Sequence, residues 1–278
     1  KTAFFMIRQF FFIMKANKNS FIGVFDSGIG GLTLLPVIQS IAPNENILYV
    51  SDDAHAPYGC KEKIEIIDRC KTIVDYLVKK ECKLILVACN TATTSAIKIL
   101  RATYSVTFIG IEPAIKPAVL KSKTRIIGVL ATQGTLSSSL FSKTSETLSN
   151  EVRIIEQNGT GLVEFIETGN MDNPRLIALL STSIKPMLDQ NIDTLVLGCT
   201  HYPFLIPLLK KMMPDNIQII DNSEAVAKQV VKILKINKIL NSYKEKGTIK
   251  YTSSSKKSSL LNFLPEGTKI SMLPIDQI

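Results

Sequence analysis

Two segments of this chain carry the same order of residue types 110 positions apart. The first is Leu84-Ile85-Leu86-Val87-Ala88-Cys89-Asn90-Thr91. The second is Thr194-Leu195-Val196-Leu197-Gly198-Cys199-Thr200-His201. Each is an apolar run closed by a cysteine and a polar turn. Two further pairs keep the same order along the chain. Ile22-Gly23-Val24-Phe25-Asp26-Ser27 is matched by Ile127-Gly128-Val129-Leu130-Ala131-Thr132, and Phe108–Glu112 by Ile219–Ser223. One such match means little, because buried strands look alike. Three in order, at nearly one offset, mean two similar halves, each too long for a solenoid unit and large enough to be a domain.

The same runs set the fold class. Strands are expected at Phe21–Asp26, Ile47–Ser51, Lys83–Ala88, Val106–Gly110, Arg125–Leu130, Val152–Glu156, Thr194–Gly198 and Ile217–Asp221. Most are continuous apolar runs, the mark of parallel strands buried on both faces. Helical segments separate them. The clearest stripe is Ile64, Ile67, Cys70, Val74, Leu77 and Val78, and Pro43, Pro203 and Pro214 mark helix boundaries. The expected fold is α/β, with two similar three-layer doubly wound domains, mostly parallel sheets and pseudo-twofold symmetry. Residues 1–20 fall outside the core. Residues 21–107 with 221–278 form the first domain, and 108–220 the second.

Composition narrows the function. Of 278 residues, 45% are hydrophobic and 21% charged, which is ordinary for a globular chain. Five cysteines and two histidines, with no Cys-x-x-Cys, argue against a disulfide framework and against a metal site. Free thiols point to a reducing compartment, and the cytoplasm is expected. The apolar stretch Phe4–Met14, broken by Arg8 and Gln9, is too short to span a membrane. No small-residue cleavage site follows it, and Met14 is a candidate start. Much of the net charge of +9 lies near the C-terminus, where residues 228–278 hold ten lysines. That segment has no Arg, no aromatic cluster interleaved with the lysines and no recognition motif, so it reads as a solvated helix face and loop, without nucleic acid as a partner.

In parallel sheets, ligands bind beyond the carboxyl ends of the strands. Cys89 and Cys199 both stand there, each before a polar turn and a helix. Helix N-termini lower a thiol's pKa from about 8.5 and favour the thiolate. Cys70 reads as core, Cys82 as structural and Cys60, after Pro57-Tyr58-Gly59, as non-catalytic. Asp26 ends the first strand, where a carboxylate can exchange protons with a thiol or can cap a turn. The run Ser27-Gly28-Ile29-Gly30-Gly31 lets backbone approach a ligand, but lacks a complete nucleotide motif. His201 stands beside Cys199 and can orient or protonate a group there, whereas His55 reads as structural. Ser27, Asn90, Thr91, Thr132, Thr135 and Thr200 fall at strand ends or the turns after them, where neutral hydrogen bonds and helix ends can hold carboxylates.

These residues resemble a known family. Phe25–Gly31, Pro57-Tyr58-Gly59, Cys89-Asn90-Thr91-Ala92, Gly110-Ile111-Glu112-Pro113-Ala114 and Gly198-Cys199-Thr200-His201-Tyr202-Pro203 look like the motifs of bacterial glutamate racemases, over about Phe21 to Gly267. The resemblance implies an isomerase that interconverts L- and D-glutamate without a cofactor, supplying D-glutamate for peptidoglycan and so for the cell wall and cell shape. It implies that Cys89 takes the proton from D-glutamate and Cys199 from L-glutamate, with Asp26 assisting Cys89, and His201 and Glu167 completing the catalytic set. Glu164 is an alternative register for Glu167. Ser27, Pro57, Tyr58, Gly59, Asn90, Thr91, Thr132, Thr135 and Thr200 would hold the substrate, and no metal is implied. Some relatives with N-terminal extensions respond to a cell-wall precursor as activator, and members occur as homodimers or monomers. The leader and the tail near Tyr251-Thr252-Ser253 depart from the family pattern. Two other readings stay open: the same architecture acting on another acidic substrate such as aspartate, or a two-lobed binding protein with incidental thiols.

Overall fold

The computed structural model describes residues 17–274, so most of the 1–20 leader lies outside the described residues. The strands are β1 (Ile22–Asp26), β2 (Ile47–Ser51), β3 (Leu84–Val87), β4 (Thr107–Gly110), β5 (Ile126–Ala131), β6 (Arg153–Asn158), β7 (Thr194–Gly198), β8 (Gln218–Ile220), β9 (Ile249–Ser253) and β10 (Ile270–Met272). The helices are α1 (Leu35–Ile41), α2 (Lys63–Lys79), α3 (Asn90–Thr103), α4 (Ile115–Lys121), α5 (Gln133–Leu136), α6 (Ser139–Leu148), α7 (Leu162–Glu167), α8 (Pro174–Leu188), α9 (Ile206–Met212) and α10 (Ser223–Ile236).

They build two sheets, ordered β10-β9-β2-β1-β3-β4 and β6-β5-β7-β8, with every pairing parallel. The expected α/β architecture is present. The order β2-β1-β3-β4 is repeated as β6-β5-β7-β8, so each half places the strand that leads into its cysteine, β3 or β7, beside its own first strand.

Alternate residues of a strand face opposite ways, so each sheet needs cover on both sides. In the first sheet, Ile22, Val24, Leu84 and Leu86 pack with Leu35 and Ile38 of α1 and with Val230 and Leu234 of α10. Phe25, Val50, Ile85 and Val87 pack on the other side with Cys70 and Ile73 of α2 and Ile97 and Leu100 of α3. The second sheet lies between α4 and α6 on one face and α7, α8 and α9 on the other. The α1/α10 face of the first sheet and the α7–α9 face of the second belong to one continuous core. The lobes therefore share buried apolar surface.

Three details differ from expectation. Ile64 is 66% exposed, and the buried stripe of α2 is Ile66, Ile67, Cys70, Ile73, Val74 and Leu77. Residues 108–110 complete β4 within the first sheet, since Val87 pairs with Gly110. The basic C-terminal segment supplies two strands, where a helix face and loop were expected: β9 pairs with β2, and β10 with β9. Its strands escape an apolar reading because β9, Ile-Lys-Tyr-Thr-Ser, is only partly buried and β10 is an edge.

Candidate active site

Both cysteines sit just beyond the carboxyl ends of equivalent strands, in the cleft between the lobes. Cys89 caps α3, its Sγ accepting from the Ala92 N–H at 3.4 Å and donating to Ser27 Oγ at 3.7 Å. Ser27 Oγ donates in turn to Asp26 Oδ1 at 3.0 Å. Asp26 is thus joined to Cys89 through a hydroxyl. It is fully buried, and its carboxylate also accepts from the Gly28 N–H at 3.2 Å and from Thr200 Oγ1, of the other lobe, at 2.8 Å. Burial raises its pKa, and the His201 charge and these hydrogen bonds offset this only in part.

The expected lowering of the thiol pKa does not hold for Cys89. Burial, then the Asp26 charge, push it up to about 12; the Ala92 N–H and Ser27 pull the other way without prevailing. In a closed cleft, desolvation outweighs one helix N–H. Cys199 also lacks an α-helix directly behind it. A 3-10 turn, Tyr202–Leu205, separates it from α9, and its polar neighbour is the imidazole of His201, with Sγ 3.8 Å from Nδ1.

His201 Nε2 lies 2.6 Å from Glu167 Oε1, which also accepts from the Ile29 N–H at 2.9 Å. Burial works to lower the His201 pKa, but its contacts with Cys199 and Glu167 prevail and raise it well above 6.5. Burial likewise works to raise Glu167, and His201, Ser259 and the Ile29 N–H bring it below its ordinary value. The imidazole is therefore held protonated between a sulfur and a carboxylate. Glu167, at the end of α7, is the acid at the site. Glu164 instead lines a small cavity with Pro57, Gly59, Cys60, Thr132 and Gly159.

The glycines of the first loop serve lobe contact. A Cβ on Gly28 would come within 1.8 Å of Glu167 Oε1, and one on Gly30 within 2.4 Å of His201 Nδ1. The second lobe seats directly on this backbone. The threonines join the lobes too, Thr91 Oγ1 lying 2.9 Å from Thr132 Oγ1, which donates to Thr135 Oγ1 at 3.1 Å. Asn90 is 2% exposed, and neither its Oδ1 nor its Nδ2 has a hydrogen-bond partner. A buried amide in that state costs free energy unless something fills the site. The cavity beside Gly59 and Thr132 has about 30 Å³, room for a water, and is lined by neither thiol.

A family model described as Asp/Glu/Hydantoin racemase matches residues 32–230. A glutamate racemase of Pseudomonas putida is 42% identical over 251 residues, 90% of this chain and 94% of that protein. The chain belongs to the Asp/Glu/hydantoin racemase family. These are isomerases, as the sequence implied. Among solved structures, a glutamate racemase of Bacillus anthracis superposes with a TM-score of 0.82 at 31% identity, covering 92% of this chain and 97% of that one. The Escherichia coli glutamate racemase, solved with L-glutamate and the activator UDP-MurNAc-ala, gives 0.79 at 28%, covering 91% and 97%.

The racemase fold here also brings two residues outside the motifs, Asp52 and Arg69, to Tyr58. Tyr58 is buried, and its hydroxyl donates to Asp52 Oδ2 at 2.5 Å. Arg69 clamps the same carboxylate, Nε to Oδ2 at 2.9 Å and a terminal nitrogen to Oδ1 at 2.7 Å, and His55 Nδ1 lies 3.1 Å from Oδ1. The Tyr58 hydroxyl is thus committed to Asp52 and its ring is buried in the core with α2, while the Gly59 backbone lies against Thr132 of the other lobe. Asp52 was legible in principle, since it directly follows β2 at the carboxyl edge of the sheet. Cys70 and Cys82 are buried in the core, while Cys60 is exposed. Among the described residues, no cluster of His, Cys, Asp or Glu could hold a metal ion, and no helix is long and apolar enough to cross a membrane.

Proposed function

We propose that this protein interconverts L- and D-glutamate by a two-thiol mechanism that needs no cofactor. The observation that carries this is the pair of thiols at equivalent strand ends, each with its own polar chain: Cys89–Ser27–Asp26 and Cys199–His201–Glu167. Racemisation takes a proton from one face of the α-carbon and delivers another to the opposite face. Two groups of unequal proton affinity do this without moving the substrate. Cys89, with its raised pKa, is a thiol ready to donate. Protonated His201 places a positive charge beside the Cys199 sulfur, with Nδ1 3.8 Å from Sγ. That resting pair takes the α-proton of L-glutamate onto Cys199 and gives the Cys89 proton to the other face. The opposite charge distribution runs the reverse reaction, with Ser27 and Asp26 supplying or accepting the proton at Cys89.

The closed cleft gives the carbanion a water-poor, fixed electrostatic environment. The Asn90 amide, the α3 N-terminus and the hydroxyls of Ser27, Thr91, Thr132, Thr135 and Thr200 hold the carboxylates and the ammonium, with Pro57, Tyr58 and Gly59 forming the wall. The product D-glutamate serves peptidoglycan synthesis, which places the enzyme in the cytoplasm. The activator in the Escherichia coli relative makes a cell-wall precursor of that chemistry a candidate effector, to be checked by assay with and without it. Sedimentation distinguishes homodimer from monomer.

The deciding assay supplies purified, reduced protein with L-glutamate, D-glutamate or aspartate in heavy water and no cofactor. Exchange of the α-hydrogen with inversion of either glutamate enantiomer is expected, and aspartate should react far more slowly. No exchange with any of them overturns the enzymatic reading. Exchange with aspartate alone overturns the substrate.

A further inference from the structure

The Gly28–Ile29 peptide lies between two groups from different lobes. Its carbonyl accepts from the Tyr49 hydroxyl at 2.6 Å, and its N–H donates to Glu167 Oε1 at 2.9 Å. The same Oε1 lies 2.6 Å from His201 Nε2, and His201 Nδ1 lies 3.8 Å from Cys199 Sγ. A continuous path of contacts therefore runs from β2 of the first lobe to the thiol of the second. Tyr49 is firmly held at its end of that path. It is fully buried in the shared core, on a strand that pairs with Val24 of β1 and Tyr251 of β9. The Tyr251 ring meets its own edge-on, with centroids 6.3 Å apart. Gly31 makes room for the phenol, since a Cβ there would come within 2.9 Å of Tyr49 Cε2 and 3.1 Å of the hydroxyl. Burial, then the charges of Asp26 and Glu167, hold the phenol well above its usual 10, so it stays a donor.

The peptide needs this hold. Glycine leaves the backbone torsion at residue 28 nearly free, so sterics alone do not decide which way the following peptide faces. If that peptide turns, the Ile29 N–H leaves Glu167. A hydrogen bond accepted by the carbonyl also polarises the peptide and strengthens its N–H as a donor.

We propose that Tyr49 is a positioning residue for the Cys199 side of the site: its hydroxyl fixes the Gly28–Ile29 peptide so that the Ile29 N–H keeps Glu167 Oε1 on His201. Its bearing on the reaction rests on the two-thiol reading above. Tyr49 acts through the peptide and Glu167, not on the reacting atoms.

The test uses Tyr49→Phe in the full chain, alone and combined with Glu167→Ala. Phenylalanine keeps the ring in the core and removes only the hydroxyl. The chain holds two histidines, so both imidazoles can be followed by NMR, with His201→Asn assigning the signals. His201 is faced by Cys199 from its own loop, Glu167 from α7 and Asp26 from β1. In Tyr49→Phe its titration should move down by about 0.5–1 pH unit, as the carboxylate loses its seat beside the imidazole. In Glu167→Ala, adding Tyr49→Phe should move it no further, because the path is already cut. His55 should not move in any variant. Turnover gives a second reading. The enantiomers have equal free energy, so kcat/KM must fall equally in both directions, by about 2- to 10-fold for Tyr49→Phe alone. Added to Glu167→Ala, it should cost less than about 2-fold. A His201 titration that stays put or moves up in Tyr49→Phe overturns the proposal, and so does a shift or rate loss of equal size in both backgrounds, the mark of a merely structural role. Gly31→Ala displaces the hydroxyl without removing it and should shift His201 the same way; should Tyr49→Phe fail to fold, that variant decides by the same criteria. If the wild type racemises no glutamate, the functional reading falls, while the His201 titration still decides the role of Tyr49.

Discussion

Cys89 and Cys199 are the same residue at equivalent strand ends, yet their neighbours make them chemically unlike. One is backed by a serine and a buried carboxyl, the other by a protonated imidazole. Under the proposed two-thiol mechanism each thiol serves one face of the substrate, so neither chain can replace the other. Replacing either with alanine should therefore lower kcat for racemisation by at least about 10²–10⁴, the range for loss of a positioned acid or base. Cys70 is equally buried but lies in the core beneath α2. Cys70→Ala should keep near-normal turnover and lose about 1 kcal/mol of stability, the usual cost of one altered core contact. Assays of both directions, with denaturant unfolding for Cys70→Ala, check this. Substantial activity in Cys89→Ala or Cys199→Ala refutes the two-thiol assignment.

At the scale of elements, the segment from β2 to α2 shows what holds the Pro57-Tyr58-Gly59 loop, the proposed substrate wall, in place. Asp52 gathers the Tyr58 hydroxyl, the Arg69 guanidinium and His55, tying a loop to the helix behind it. Asp52→Asn removes the charge and leaves Arg69 without its partner. Breaking a buried pair costs about 3–5 kcal/mol, and partial exposure of Arg69 brings the expected loss to roughly 2–3 kcal/mol. A raised KM for glutamate should accompany it as Tyr58 and Gly59 loosen. Thermal unfolding and steady-state kinetics measure the two, and an unchanged KM would mean that the wall is held from elsewhere. The sequence shows some of this and hides the rest for a physical reason. Strands β1, β3, β5 and β7 are legible because burial on both faces demands unbroken apolar runs, and the thiols because the repeat marks them. β9 and β10 are hidden by their lysines and serines. Asp52 can be read from its place at a strand end, but its pairing with Arg69 on another element cannot. Long-range polar pairing leaves no local period to read.

Across the whole molecule, the lobes are joined at the site by polar contacts: Asp26 with Thr200, Ile29 with Glu167 and Thr91 with Thr132. These contacts hold the lobes together beside the two thiols. The charged link at this junction is Glu167 with His201, and its pH window follows from their shifts. Glu167 is lowered in the folded protein, so its contribution is complete above its unfolded value of 4.5 and is lost as pH falls through the folded pKa. His201 is raised, so its contribution is complete below 6.5 and is lost as pH rises through the folded value. Both are complete together between pH 4.5 and 6.5. Asp26, raised by burial, adds an opposing trend in acid that is common to wild type and variants. The informative quantity is therefore the difference in unfolding free energy between wild type and His201→Asn. It should be largest within that window and should shrink towards both extremes. A difference that stays flat across the range would mean that the pair does not carry charge in the folded protein, and that the lobes close on their neutral hydrogen bonds and shared core alone.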